Sequence, residues 1–187
     1  LQAYSFMLGR IADSSKYLLS GRGEEIMARM RLSGGNAWSD LQSYLTSTVP
    51  VSYNGGITNL STIRNLAYDE DPKVRKDAYE AEIACYDRIK DAVAFALNSI
   101  KLETISDCKL RGYESPLMRT LKGSNMKKET LDAMLGAMDE YLPKFWQYLK
   151  AKAKALGHEN GLPWYDLFAP MGASSTKFTA EDARNYL

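Results

Sequence analysis

The dipeptide His158-Glu159 is the feature nearest to catalytic chemistry, because H-E-x-x-H on a helix places two histidines one turn apart as zinc ligands. The position four residues after His158 is Leu162, however, and Gly161 and Pro163 disfavour a helix there. His158 is also the only histidine in the sequence. Because catalytic zinc needs about three protein ligands, we predict no metal ligand in this chain and interpret His158 as a solvated loop imidazole.

Other catalytic patterns are weak. A Ser or Cys nucleophile needs an adjacent base, for which one loop histidine is a poor candidate. Gly34-Gly35 and Gly55-Gly56 are better explained as a helix stop and a hairpin turn than as phosphate-binding loops. Acidic residues over 69–91 alternate with Lys and Arg, which is typical of a solvated helix face. We therefore predict no catalytic residue in this chain.

Composition excludes some classes of partner. The 187 residues include 24 Lys plus Arg and 23 Asp plus Glu, so the basic excess typical of nucleic-acid binders is missing. No stretch approaches the ~20 apolar residues that span a bilayer, and no basic-then-apolar leader is visible. We therefore expect a cytoplasmic protein with neither a nucleic-acid nor a membrane partner.

Cys85 and Cys108 fall within one long helical pattern. If that helix is continuous, they lie roughly 35 Å apart, which is too far for a disulfide. Two buried, reduced thiols are the simpler interpretation, and reactive thiols are the less favoured one.

Apolar spacing predicts helices at 2–20, at 23–32 and from Asn36, which can act as an N-cap. The next residues are rich in β-branched side chains, and Asn54-Gly55-Gly56 is typical of a hairpin turn. A small β-hairpin is therefore expected, followed by a short helix that Ser61 caps.

The longest predicted element runs from the Asp71-Pro72 start signal to Gly112. One apolar stripe continues through it, so we expect a continuous central helix packed on more than one side. Ser115-Pro116 starts a short helix, and residues 127–156 predict another, which Pro143 must kink or interrupt. The predicted buried face of that last helix comprises Leu131, Met134, Leu135, Met138, Leu142, Phe145, Trp146 and Leu149.

Residues 158–178 contain Gly, Pro and Ser and predict an extended connection. Thr179 then caps a helix that stops at Leu187 after about two turns, below the length that is stable alone. Together the elements predict a mainly α fold, a multi-helix array with one long central helix and one small β-hairpin. We interpret residues 1–187 as a single helical piece cut from a larger protein.

Six local sequences occur in a characteristic order and spacing. They are RLSGGNAW at 31–38, IRNLAYDEDPKVR with AYEAE at 63–82, RGYESPL at 111–117, TLDAML at 130–135, KAKALG at 152–157 and WYDLFAP at 164–170. Together they resemble the oligoendopeptidase F branch of the thimet-oligopeptidase-like zinc peptidases. The resemblance extends over nearly the whole chain.

The resemblance implies an almost entirely helical enzyme with two lobes around a deep cleft that admits short peptides. Zinc is expected at the floor of that cleft, held by the two histidines of H-E-x-x-H and a later glutamate, with the motif glutamate activating the metal-bound water. In such proteins these residues lie C-terminal to the segment that this chain resembles, so no catalytic or metal residue is carried over. The resemblance offers Arg111, Tyr113, Tyr165 and Asp166 as candidate cleft-lining residues.

Two interpretations follow. In the first, the chain walls the cleft of a zinc oligopeptidase, has the remainder of its own polypeptide and oligopeptides as partners, and is inactive alone. In the second, it is a stand-alone helical scaffold that binds partner helices or peptides in its grooves. Under the first, apolar surface normally covered by the catalytic lobe is exposed, and self-association is expected.

Overall fold

The structure is a computed structural model that describes residues 2–172 and 179–186. It is mainly α-helical with one antiparallel hairpin, which confirms the predicted fold class. The helices are α1 (Ser5–Ser15), α2 (Gly21–Ser33), α3 (Gly35–Thr48), α4 (Leu60–Asn65), α5 (Pro72–Tyr86), α6 (Lys90–Arg111), α7 (Pro116–Gly123), α8 (Lys128–Ala155) and α9 (Ala180–Tyr186), and the strands are β1 (Val51–Tyr53) and β2 (Gly56–Thr58). Short 3₁₀ turns occupy Gln2–Tyr4, Leu66–Tyr68 and Trp164–Asp166.

The first predicted helix, 2–20, ends early at Ser15 and is followed by a turn at residues 16 and 17, and α2 begins at Gly21. Ser20 is its N-cap, because its hydroxyl accepts a hydrogen bond from the Gly23 amide at 3.1 Å. Only Gly34 separates α2 from α3, so the prediction of Asn36 as a cap is wrong.

Gly34 and Gly35 lie where the Glu103 side chain approaches the backbone. The Gly35 amide donates a hydrogen bond to the Glu103 carboxylate. A Cβ at Gly34 would lie 2.5 Å from Glu103 Oε2, so only glycine leaves room for this approach. The carboxylate of α6 therefore supplies the N-terminal cap that the first residues of α3 lack.

The hairpin forms as predicted. Val51 pairs with Thr58 and Tyr53 with Gly56, and both turn residues have positive φ, 49° at Asn54 and 76° at Gly55. The following helix is capped by Asn59 and not by the predicted Ser61, since the Asn59 side chain accepts from the Thr62 amide at 3.0 Å.

The predicted continuous central helix is wrong, because residues 87–89 interrupt it between α5 and α6. There the Arg88 and Ile89 amides donate to carbonyls only three residues back, at 3.2 and 3.1 Å. Ile89 is 7% exposed and belongs to the same core as Cys85, so the apolar stripe passes through the turn unbroken. Periodicity alone does not detect such an interruption.

The core lies between the hairpin, α4 and α5. Its buried residues are Val49, Val51, Leu60, Ile63, Ala78, Cys85 and Ile89. Both cysteines are buried and unbridged, in agreement with the interpretation of the thiols. Burial raises the pKa of Cys85, so this thiol is held in its neutral form.

The predicted buried face of α8 is wrong. The helix runs through Pro143 without interruption, but its only buried residues are Lys152 and Ala153 near the C-terminal end. Phe145 is 61% exposed and Trp146 54%, and α1 likewise exposes Phe6. The apolar faces of α1 and α8 therefore meet solvent in the part of the chain that the structure describes.

The C-terminal part of the chain agrees with its prediction in most places. Residues 158–163 are non-helical, but Trp164–Asp166 forms a 3₁₀ turn within the predicted extended connection, of which 173–178 lie outside the described residues. Thr179 caps α9, its hydroxyl accepting from the Asp182 amide at 3.1 Å. None of the described helices has the length and apolarity needed to cross a membrane.

Candidate functional site

The four candidate cleft residues fall into two side-chain clusters that share no member. Arg111 ends α6 and Tyr113 follows it, beside α2 and α7. Tyr165 and Asp166 belong to the 3₁₀ turn that packs against α5. The two clusters are therefore described separately.

Arg111 belongs to a network that we name the Asp107 cluster, comprising Glu24, Arg31, Glu103, Asp107, Arg111 and Arg119. Asp107 is 1% exposed and lies at its centre. Its carboxylate accepts from Arg31 Nη2 at 2.5 Å and from Arg111 Nε at 2.7 Å, and it is 2.9 Å from Arg119 Nη1. A carboxylate so deeply buried is stable only because cations surround it.

The Arg111 guanidinium makes four hydrogen bonds to protein acceptors. Besides Asp107, it donates to both carboxylate oxygens of Glu24 at 2.6 and 2.9 Å and to the Tyr17 carbonyl at 3.1 Å. These bonds lower the pKa of Glu24 to about 2 and raise that of Arg111. Arg111 thus joins α6 to α2.

Tyr113 stacks on Tyr17 with ring centroids 4.0 Å apart and planes inclined by 5°. Tyr113 and Tyr17 both line a cavity between α1 and α7, which Arg111 does not line. Of the two candidates Arg111 and Tyr113, Tyr113 is therefore the one that a ligand in this cavity can reach.

Asp166 is the centre of a second buried network, which we name the Asp166 clasp and which comprises Arg75, His158 and Asp166. Arg75 Nε and Nη2 both lie 2.8 Å from Asp166 Oδ1, and Nη1 donates to the carbonyls of Asp69 and Glu70. The second carboxylate oxygen is 2.6 Å from His158 Nε2. The clasp fastens the segment around residues 158–166 to α5.

Two sequence interpretations are corrected by this clasp. His158 is half-buried and bonded to Asp166, so it is not a solvated loop imidazole. Arg75 is 3% exposed, although the alternating charges around it predict a solvated helix face. Its position three residues before the buried Ala78 is the signal that places it on the packed side of the helix.

Lys152 is a buried charged residue that the sequence analysis did not predict. It is 6% exposed, and its Nζ donates to the carbonyls of Leu167 and Ala169 at 2.9 and 2.8 Å. The C-terminal end of α8 is therefore fixed to the residues that follow the clasp.

Beside the clasp lies a cavity of about 450 Å³ that we name the aromatic groove, lined chiefly by Arg64, Tyr68, Tyr79, Glu82, Trp164, Tyr165 and Phe168. Trp164 is 69% exposed and Phe168 49%, so both face outward and not into the core. The mouth of the groove is aromatic, a surface suited to apolar side chains.

A charged edge borders the groove. Arg64 Nε donates to Glu82 at 2.8 Å, and the Tyr86 hydroxyl donates to the same carboxylate at 2.5 Å. Burial and the bond to Glu82 raise the pKa of Tyr86, which keeps its hydroxyl protonated. Arg64 retains a side chain that is 58% exposed and has donors for a ligand carbonyl.

The described residues do not fit a zinc ion. No group of three or more His, Cys, Asp or Glu side chains among them could hold a metal. The one histidine has its Nε2 engaged by Asp166, and both thiols are buried within α5 and α6. The arrangement is suited to binding, and no catalytic step is assigned to it.

No protein-family model matches the sequence. The chain is 24% identical over 190 residues to Group B oligopeptidase PepB of Streptococcus agalactiae serotype III (strain NEM316), covering 98% of this chain and 31% of that protein. It is 24% identical over 195 residues to oligopeptidase PepF of Bacillus subtilis (strain 168), covering 100% of this chain and 29% of that protein. The chain thus spans about a third of the length of the curated relatives it matches.

The fold has a counterpart among solved structures. Oligoendopeptidase-F from Enterococcus faecium superposes with a TM-score of 0.77 at 22% identity, over 91% of this chain and 35% of that one. These findings confirm the resemblance that the motifs indicate: over its whole length the chain is similar to part of proteins named as oligopeptidases, and its fold is similar to part of an oligoendopeptidase-F.

Proposed function

We propose that this chain is part of a zinc-dependent metalloendopeptidase acting on short peptides, in which it forms a helical lobe and a wall of the peptide-binding cleft. The observation that carries the proposal is the match of the whole chain to parts of two proteins named as oligopeptidases. The proposed location is cytoplasmic, supported by two unbridged cysteines.

In this proposal the metal chemistry belongs to residues outside this chain. Zinc would supply the activated water when bound by the complete protein. The described residues contribute binding surface, and the aromatic groove beside Tyr165 is the part best suited to peptide side chains.

The exposed apolar faces of α1 and α8 support the assignment to a larger protein. The exposed side chains on α8 include Met138, Leu142, Phe145 and Trp146. Contiguous apolar surface of this kind marks an interface. We assign it to the remainder of the same polypeptide, because the relatives extend well beyond the matched third.

The test begins with the coding sequence beyond Leu187. An H-E-x-x-H motif followed by a later glutamate is expected there, and the longer polypeptide should bind one zinc by mass spectrometry and cleave internally quenched peptides. The 187-residue chain alone should do neither. One zinc bound per isolated chain would overturn the proposal, and a stop codon after Leu187 would favour the stand-alone scaffold.

A variant of the groove tests the cleft-wall assignment within the longer polypeptide. Trp164→Ala removes an exposed aromatic side chain at the groove mouth and is expected to raise KM with little change in kcat. Tyr44→Ala, on an equally exposed tyrosine of α3, is the matched control. Equal KM and kcat values for the two variants would show that the substrate does not contact the aromatic groove.

A further inference from the structure

A second cavity of about 510 Å³ lies between α1, Tyr113 and the connection from α7 to α8. We infer that this pocket binds a peptide through a carboxylate, either its C-terminus or an acidic side chain. No candidate residue except Tyr113 belongs to it, and it shares no lining residue with the aromatic groove.

The lining of the pocket is strongly cationic. It contains Arg10, Arg119, Lys122 and Lys127 but a single carboxylate, that of Asp13. That carboxylate is occupied, since Lys16 Nζ donates to it at 2.6 Å. The net charge of the whole chain is only +1, whereas the lining of this cavity carries four cationic side chains and one carboxylate.

Two of the cationic side chains, Arg10 and Lys122, are available to pair with an anion. Arg10 Nη2 donates to the Gly123 carbonyl at 3.4 Å, a long bond between neutral and charged groups. Lys122 Nζ lies 5.3 Å from the centre of the Tyr17 ring, a cation–π contact that fixes the ammonium at the pocket wall. Within 2–172 and 179–186, neither side chain has a carboxylate within salt-bridge distance.

Arg119 adds positive charge from deeper in the molecule. Its Nη1 lies 2.9 Å from Asp107, but that carboxylate is shared with Arg31 and Arg111. Arg31 and Arg111 have further carboxylate partners in Glu103 and Glu24, whereas Arg119 has Asp107 as its one carboxylate partner among the described residues, and its side chain is 33% exposed.

The aromatic wall favours a peptide over a small inorganic anion. Tyr17 and Tyr113 form a parallel stack on the wall of the pocket. A carboxylate next to an apolar or aromatic side chain matches both features of the cavity. The choice of a peptide among organic anions rests on the proposed function, whereas the charge and the shape of the pocket do not.

The experiment is an NMR titration of the isotope-labelled 187-residue chain with two tetrapeptides. One is acetyl-Gly-Ala-Asp-Phe with a free C-terminus, and the other is acetyl-Gly-Ala-Asn-Phe amide. The acidic peptide is expected to bind roughly fivefold more tightly or better, with the largest shifts around Tyr17, Tyr113 and Asn125. Equal affinity, or shifts confined to other regions, would overturn the inference.

Paired variants locate the charge effect. Lys122→Gln with Lys127→Gln should abolish the preference for the acidic peptide, whereas Lys150→Gln with Lys154→Gln on exposed turns of α8 should preserve it. Inorganic phosphate that displaces the peptide at equal concentration would show a general anion site and overturn the assignment to peptides. The titration needs neither zinc nor cleavage, so its failure leaves the proposed function standing.

Discussion

Helices α5 and α8 have apolar stripes of similar period but differ in what covers them. In α5 the stripe packs on the hairpin and α4, with Ala78 2% and Cys85 4% exposed. In α8 the corresponding side chains, such as Phe145 at 61%, meet solvent. The comparison shows that periodicity reports the conformation of a segment, while burial depends on whether the chain brings a second surface to it.

The largest expected effect on the free energy of unfolding comes from breaking the Asp166 clasp, which fastens residues 158–166 to α5. Arg75→Met leaves the buried Asp166 carboxylate with His158 as its remaining side-chain partner among the described residues, and should lower the free energy of unfolding by about 3–5 kcal/mol. Urea denaturation followed by circular dichroism measures it. Lys76→Met, at a neighbouring exposed position, should change stability by less than about 0.5 kcal/mol. Similar losses of unfolding free energy in the two variants would show that the Asp166 clasp does not stabilise the fold.

A matched pair of truncations compares the core with α8 directly. Ile63→Ala, at a side chain that is 1% exposed, should cost about 2–5 kcal/mol because it leaves a cavity. Leu142→Ala, at 41% exposure, should cost less than about 1 kcal/mol by the same denaturation assay. A loss at Leu142 equal to that at Ile63 would show that α8 is packed in solution.

Acid stability tests the Asp107 cluster. The folded-state pKa of Glu24 is about 2, below its ordinary value of 4.5, because Arg111 bonds to the ionised form. The resulting stability is fully present above about pH 4.5 and is lost as the pH falls towards 2. Unfolding free energies measured across this range should fall less steeply in Glu24→Gln. An unchanged slope would exclude Glu24 as a contributor.

The smallest expected effect on monomer stability comes from polar substitutions on α8. Met138, Phe145 and Trp146, changed together to Gln, should leave thermal unfolding nearly unchanged and reduce self-association in sedimentation experiments. The control changes Leu32, Ile57 and Leu102 to Gln, residues of similar exposure that lie on separate elements. Equal reduction by both sets would show that α8 holds no particular interface.

Local signals predicted much of the fold. Asp71 caps α5 ahead of Pro72, Ser115 caps α7 ahead of Pro116, and Gly112 ends α6 with a φ of 77°. Each signal acts within a few residues, so the sequence displays it directly. The interruption at residues 87–89 is different, because it has no such local signal, and its Ile89 belongs to the core that includes Val51 of the hairpin.

The candidate site was harder to predict because its interactions are long-range. The bond between Arg75 and Asp166 joins positions 91 residues apart, and the sequence around either residue contains no local pattern that predicts it. The resemblance pointed to Tyr165 and Asp166 without separating their roles. The structure places Tyr165 on the groove and Asp166 beneath it.

The cap that Glu103 provides has a consequence for the order of events during synthesis. The Gly35 amide finds its acceptor 68 residues further along the chain. While the ribosome is still translating that interval, the beginning of α3 has no partner for its first amides and must fray or bond to water. The first turn of α3 therefore gains this cap only after α6 has emerged and docked.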